Sequence, residues 1–387
     1  MNRPEANPAG ANRRHARPGL NRRAFLIAAG ATAAGAALAT TTQGNARATA
    51  NAGTFRAPIE DVRHTRTWMA WPDSTSIWGN KLSGVQADIA LIARTIAKYE
   101  PVVMCANSGS AAKARQLCGS TVTVIGSILV DDCWMRDTGP VFRTDGAGGL
   151  DAVGLNFNGW GNKQAHAKDA LVAGRIASYV GVPITYADLV GEGGAIEQDG
   201  AGTLMATRSS LVNRNRNPGM SERQLESAMC EAYGASKVIW FDGVRGQDIT
   251  DDHVDATSRF LSPGEALVQM PLASDNDAYA RDARQQFSVL SSSTTATGIP
   301  MDTMRLQGPD YYKIRSGDAD FLASYANYYL CNGAVISAHF GDTRADQAAK
   351  ATLARLYPDR VIEQLNIDRL GTGGGGIHCV TQQQPVA

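Results

Sequence analysis

Gly373-Gly374-Gly375-Gly376-Ile377-His378-Cys379-Val380-Thr381-Gln382-Gln383-Gln384-Pro385 is the stretch on which the reading of this chain turns. It sets one cysteine beside a histidine, after four glycines whose backbone can take up conformations closed to other residues. The five remaining cysteines, Cys105, Cys118, Cys133, Cys230 and Cys331, are scattered without the paired spacing of a zinc site. Cys105, Cys230 and Cys331 lie among apolar neighbours and read as buried small hydrophobes. Cys379 stands outside that pattern and is the candidate nucleophile.

Upstream of it the chain repeats a simple step. Apolar residues at helical spacing over 85–99, 168–180, 221–233 and 343–356 each lead into a strand-like run, at 102–104, 184–186, 237–241 and 361–363. The third helix carries a capping box, Ser221 with Gln224, and a stop at Gly234. About ten to thirty residues after each step comes a polar cluster. In order they hold Asp137, then Glu192 among glycines, then His253 with Asp255, and finally Cys379. The recurrence points to repeated αβ modules presenting loops to one centre. A doubly wound sheet shares the same alternation and stays open at this level.

The clusters carry a definite chemistry. On an extended segment alternate residues share a face, so His253 and Asp255 are expected to project together. A histidine beside a carboxylate suits proton transfer and cation binding. Both are also metal-ligand types, but the further ligands are missing, and neither a metal nor a cofactor is expected. A guanidinium is a planar, permanently charged fork that pairs with carboxylates. Asp137 and Asp255 can hold its edges and leave the central carbon open to Cys379, whose thiol the bound cation helps to ionise. His253 then protonates departing ammonia and later activates water, with Glu192 orienting the imidazole. Asp132, Trp134, Trp160 and Gly376 complete the candidate substrate-binding set. A cysteine protease has no use for two carboxylates at a cation site, and a guanidinium-binding protein has no use for a thiol.

Residues 1–48 read as an export leader. Arg3, Arg13, Arg14, Arg17, Arg22 and Arg23 precede an alanine-rich apolar run over 24–39, and Ala46-Arg47-Ala48 supplies a cleavage site. The Arg22-Arg23 pair is of twin-arginine type and predicts a periplasmic or extracellular protein. The run is shorter than the roughly 20 residues a membrane span needs. Seven of the 37 basic residues and one of the 37 acidic residues fall in this leader, leaving 30 against 36. That mildly acidic remainder, 49–387, argues against a nucleic-acid partner and suits a small cationic substrate. It shows no second apolar segment for a membrane and no linker, so one catalytic domain is expected. A homo-oligomer is compatible with the sequence.

WMRDTGP (134–140), NFNGWGNK (156–163), EGG (192–194), DHVD (252–255), SYANYYLCNG (324–333) and the glycine-cysteine stretch (373–385) together resemble the agmatine deiminase and bacterial-type peptidylarginine deiminase family. The likeness runs from about Trp68 to Pro385. It implies a pseudo-fivefold α/β propeller of ββαβ modules in a single domain. It also implies Cys379 as nucleophile, His253 as general acid/base and Asp137 and Asp255 as guanidinium carboxylates. The expected reaction converts agmatine and water to N-carbamoylputrescine and ammonia, a step of putrescine biosynthesis. Peptidyl-arginine or free arginine is the alternative substrate, because residues 63–67 lack the acidic lead-in common in agmatine deiminases and the histidine loop reads DDHVD where glycine often precedes the histidine.

Overall fold

Ser221 and Gln224 form the reciprocal cap that the sequence predicts: Gln224 N donates to Ser221 Oγ at 3.4 Å, and Ser221 N donates to Gln224 Oε1 at 2.9 Å. The helix they start ends at Gly234, whose φ of 66° is left-handed and where a Cβ would lie 2.3 Å from Phe55 O. A strand follows at once, and this helix-to-strand step recurs around the chain. A computed structural model describes residues 55–387 and arranges them in five small sheets.

The first sheet holds β1 (His64–Ala70), helix α1 (Leu82–Ile96), β2 (Val102–Cys105), helix α2 (Ala111–Cys118) and β3 (Val122–Ile125), its strands parallel. In the second, β4 (Val141–Thr144) pairs antiparallel with β5 (Leu150–Gly154), and α3 (Val172–Val180) crosses to parallel β6 (Ile184–Tyr186). The third repeats this with β7 (Ile196–Gln198), β8 (Thr203–Thr207), α4 (Glu222–Tyr233) and β9 (Lys237–Phe241). The fourth uses β10 (Ser258–Ser262), β11 (Glu265–Met270), α5 (Ala278–Ser291) and β12 (Asp302–Gln307). The fifth uses β13 (Tyr329–Cys331), β14 (Ala334–Ala338), α6 (Thr343–Leu356) and β15 (Val361–Leu365). Finally β16 (Gln382–Pro385) pairs antiparallel with β1, placing Gln382 opposite Trp68, and supplies the one antiparallel strand the first sheet lacks.

Five ββαβ units closed by the C-terminal strand make a pseudo-fivefold α/β propeller, not a doubly wound sheet. Parallel pairs need a crossover, and each helix provides one. Four of the crossover helices were legible from apolar spacing. The fourth-module helix α5 was not assigned, although Ala280, Ala283 and Leu290 are buried at helical spacing with Phe287 packed beside them; buried Asp282 and Gln286 interleave with that stripe. Among the described residues no helix is long and apolar enough to cross a membrane. The leader read at 1–48 lies outside the described residues.

Candidate active site

Each module's antiparallel strand is entered from a loop, and most of these loops tighten into a helical turn just before the strand. Such turns are Met135–Thr138 before β4, Gly193–Ala195 before β7, Val254–Ala256 before β10 and His378–Val380 before β16. They carry Asp137, follow Glu192, carry Asp255 with His253 as N-cap, and carry Cys379. The loop entering β13 carries Asn327. Cys379, His253, Asp137 and Asp255 line one cavity of about 390 Å³, walled by Trp78, Trp134 and Trp160.

Asp137 is held from two sides. Trp160 Nε1 donates to its Oδ2 at 2.9 Å and Gly194 N donates to its Oδ1 at 3.0 Å. His253 lies next to it, with Nδ1 3.7 Å from Asp137 Oδ1 and Nε2 3.4 Å from Glu192 Oε2. Glu192 in turn takes Arg216 Nε at 2.7 and 3.0 Å, and Arg216 Nη1 reaches Asp251 Oδ2 at 2.8 Å. Burial opposes charge on His253, but Asp137 and Glu192 outweigh it and push its pKa up to about 9. Burial also raises Asp137, with Glu192 and Asp255 adding to the rise against the pull of His253. Glu192 goes the other way, because Arg216 and His253 overcome its desolvation and hold it below the usual range.

On the opposite side, Asp255 Oδ2 meets His378 Nδ1 at 2.7 Å, and its Oδ1 has no hydrogen-bond partner among the described residues. Cys379 Sγ lies 3.8 Å from Asp255 Oδ2 and 3.5 Å from Asn327 Oδ1. Burial, with Asp255 and Asp137 facing it, raises the thiol well above its ordinary value. Asp255 itself falls below the usual range, since His378 and His253 overcome its burial. A protonated thiol, a charged imidazole and two carboxylates therefore face one cavity. A cation entering it removes the like-charge penalty on the thiolate.

Close approach explains the glycines better than loop freedom does. A Cβ on Gly373 would lie 2.3 Å from Trp78, one on Gly375 2.2 Å from Trp134, and one on Gly376 2.5 Å from Asn327 Oδ1. Gly194 sits under the catalytic cluster, where a Cβ would come within 2.8 Å of His253 Nδ1 and 2.9 Å of Asp137 Oδ1. Only glycine lets these walls and carboxylates meet.

Several expectations change. Gly376 does not line the cavity; Gly373, Gly374 and Gly375 do, and Gly376 backs onto Asn327. Asp132 lines it, yet its oxygens accept Trp78 Nε1 at 2.7 Å, Trp134 Nε1 at 2.9 Å and Gln164 Nε2 at 3.1 Å, so it fixes the indole walls. Glu192 lies behind His253, fully buried and off the cavity. His253 and Asp255 do converge, but through a 3-10 turn at Val254–Ala256 instead of an extended strand. Cys230 is only partly covered, whereas Cys105 and Cys331 are buried, and all six cysteines are free. Residues 63–67 lack an acid, but Glu60, a few positions earlier, is buried against His378. Asn327 and Arg216 were missed as well. Asn327 had a signal, because its loop occupies the one module entrance to which no polar group was assigned.

A family model described as Porphyromonas-type peptidyl-arginine deiminase matches residues 56–385. A Streptomyces coelicolor protein provisionally named agmatine deiminase is 38% identical over 341 residues, spanning 86% of this chain and 99% of that one. The agmatine deiminase of Pseudomonas aeruginosa strain LESB58 is 34% identical over 365 residues, spanning 88% and 98%. Among solved structures, an agmatine deiminase of Enterococcus faecalis superposes with a TM-score of 0.81 at 28% identity, covering 86% of this chain and 96% of its own.

Proposed function

The chain belongs to the Porphyromonas-type peptidyl-arginine deiminase family, and from that membership and the cavity we propose that it is a C–N hydrolase that deiminates agmatine through a covalent cysteine intermediate. The observation that carries the reading is the unpartnered Asp255 Oδ1 in a cavity shared with Asp137, His253 and Cys379. A buried carboxylate oxygen without a donor is costly, and a guanidinium N–H satisfies it.

In the proposed course the guanidinium sits between Asp137 and Asp255, and its charge favours the Cys379 thiolate. Sulfur bonds to the central carbon, giving a neutral tetrahedral adduct. His253, charged at neutral pH, protonates one amino group, which leaves as ammonia while the S-alkylthiouronium forms. The neutral imidazole then takes a proton from water and hydroxide adds; on collapse the adduct's hydroxyl proton passes to ammonia, giving ammonium, as the thiolate and the ureido product are expelled. Guanidinium and water in, urea and ammonium out, balances atoms and charge. Glu192 and Arg216 hold the imidazole on line.

Agmatine is favoured over arginine by the charge of the lining. Asp132, Asp137, Asp248, Asp252, Asp255 and Asp320 border the cavity, whereas its two lysines, Lys81 and Lys163, are bound to Asp318 at 2.8 Å and to Asp251 at 2.6 Å, and its imidazolium, His253, lies against Asp137 and Glu192. Such a field suits a dication and disfavours an α-carboxylate. Purified protein should release one ammonia and one N-carbamoylputrescine per agmatine, while Cys379→Ser stays folded and inactive. Turnover of arginine or an arginyl peptide with agmatine untouched would overturn the substrate and keep the chemistry. The export reading is proposed alongside: periplasmic activity on cell fractionation, lost with Arg22→Lys and Arg23→Lys together, supports it, and cytosolic activity from the unaltered chain refutes it.

A further inference from the structure

His378 precedes the nucleophile but does not line the cavity. Its ring lies between two carboxylates, Nδ1 at 2.7 Å from Asp255 Oδ2 and Nε2 at 2.8 Å from Glu60 Oε2. With an acid at each nitrogen, both contacts are N–H···O bonds when the ring carries two protons. Glu60 is itself pinned: Arg136 Nη2 donates to it at 2.9 Å, Arg259 Nη2 at 3.1 Å and Leu330 N at 2.8 Å. Those partners come from the turn that carries Asp137, from β10 and from β13. Asn327 fixes the backbone end of the histidine, accepting His378 N at Oδ1 over 3.1 Å. The ring has no slack at either end.

We propose that His378, anchored by Glu60, is a positioning residue for the deimination, occupying Asp255 Oδ2 so that Oδ1 is the oxygen left for the guanidinium. The segment around Glu60 thereby belongs to the working site although it touches no substrate. Direction of charge agrees, since Asp255 and Glu60 are both held below the usual carboxylate range despite burial, with His378 among the causes. A bond to an ionised acceptor in a buried site is worth roughly 10- to 100-fold in binding when it is the one that sets the geometry.

This rests on the agmatine reading, and a matched pair of variants separates the two. In His378→Asn the amide nitrogen takes the place of Nδ1 and keeps the bond to Asp255 while losing Glu60. In His378→Gln the amide takes the place of Nε2 and keeps Glu60 while losing Asp255. Agmatine affinity is measured by calorimetry on each variant in a Cys379→Ala background, and KM and kcat on each with Cys379 intact, with thermal melts to establish folding. The expected result is agmatine binding and KM weakened about three- to tenfold for His378→Asn, whose side chain has lost its anchor, and roughly 10- to 100-fold for His378→Gln, which has lost the bond to Asp255, with kcat less affected. Equal losses in the two, or a greater loss in His378→Asn, would overturn the positioning role. Should one variant fail to fold, Glu60→Asp is the substitute: a shortened anchor must raise KM more than it lowers kcat, and an unchanged KM overturns the proposal. Failure of wild type to bind agmatine would instead sink the substrate reading.

Discussion

Asp137 and Glu60 are both buried carboxylates near the propeller centre, yet their acidities move in opposite directions. Desolvation raises Asp137 against the pull of His253, and Glu192 and Asp255 add to the rise. Desolvation acts on Glu60 too, but Arg259, His378 and Arg136 hold it well below the ordinary value. The same burial thus holds a carboxylate ringed by positive charge in one place and, in the other, one that is hydrogen-bonded but short of positive charge. Charge deficit, not burial, marks the place where a cation is bound and transformed.

The largest expected effect comes from removing the deficit. Asp137→Asn deletes a carboxylate that faces the cavity, and loss of two charge-assisted bonds at about 1.5–3 kcal/mol each lowers kcat/KM for agmatine roughly 10²- to 10⁴-fold. It also strips His253 of its principal charge partner, so the alkaline limit of activity moves to lower pH. Ammonia release across a pH series reads both. Unchanged kcat/KM would show that Asp137 does not hold the guanidinium.

The complementary change tests the anchor. Glu60→Gln leaves Arg136 and Arg259 buried with too little counter-charge, although Glu197 Oε1 still meets Arg259 Nε at 2.8 Å. Breaking a buried ionic cluster by one partner costs about 3–5 kcal/mol. Urea unfolding should show that loss, whereas Asp137→Asn should cost less, because the His253 pairing it gives up is offset by relief of the like charges on Glu192 and Asp255. If both variants destabilise equally, the two carboxylates do not differ as described.

The two regions were unequally legible in the sequence. Cys379, His253, Asp137 and Asp255 were readable because each sits in a loop dense in polar residues and glycine, following a helix and strand that periodicity exposes. Glu60, Arg259 and Arg216 were not. One of two adjacent acids in APIEDV or an arginine at the start of a strand looks like a solvated side chain, and only the ring closure that brings Leu330 and His378 to Glu60 reveals its burial. The glycines were readable as special but not for their reason, since the indoles that demand them lie at Trp78 and Trp134, far off in the chain. Periodicity exposed four of the five modules and the family resemblance implied the fifth, whose helix α5 buries Asp282 and Gln286 among its apolar residues, against polar partners.

His253 reports the charge deficit directly through pH. Its pKa rises from near 6.5 to about 9 in the folded protein, so its contribution to stability is complete below 6.5 and is lost as pH rises through about 9. In the proposed course the charged form is also the one that protonates departing ammonia. Log kcat/KM should fall with unit slope above pH about 9, tenfold per pH unit, whereas urea midpoints should decline between about pH 6.5 and 9 and level off above that. An alkaline limb near 6.5 would mean that Asp137 and Glu192 do not hold the imidazolium.

The smallest effect separates orientation of the deficit from its charge. Trp160 has a left-handed φ of 55°, between Gly159 and Gly161 at 68° and 83°, and this turn aims its indole N–H at Asp137 Oδ2. Phe157 supports the ring edge-on at 5.0 Å, so Trp160→Phe can keep an aromatic in place while deleting one donor. Asp137 keeps its charge and its bond from Gly194 N, and agmatine KM should rise only about tenfold, the worth of one bond to a charged acceptor. Trp134→Phe is the control, because that indole donates to Asp132, whose oxygens have other partners. Its KM should change by less than about threefold, since neutral remodelling of the wall leaves the guanidinium carboxylates untouched. Matching losses in the two variants would assign the effect to wall shape, and the indole bond to Asp137 would then have no part in orienting the carboxylate.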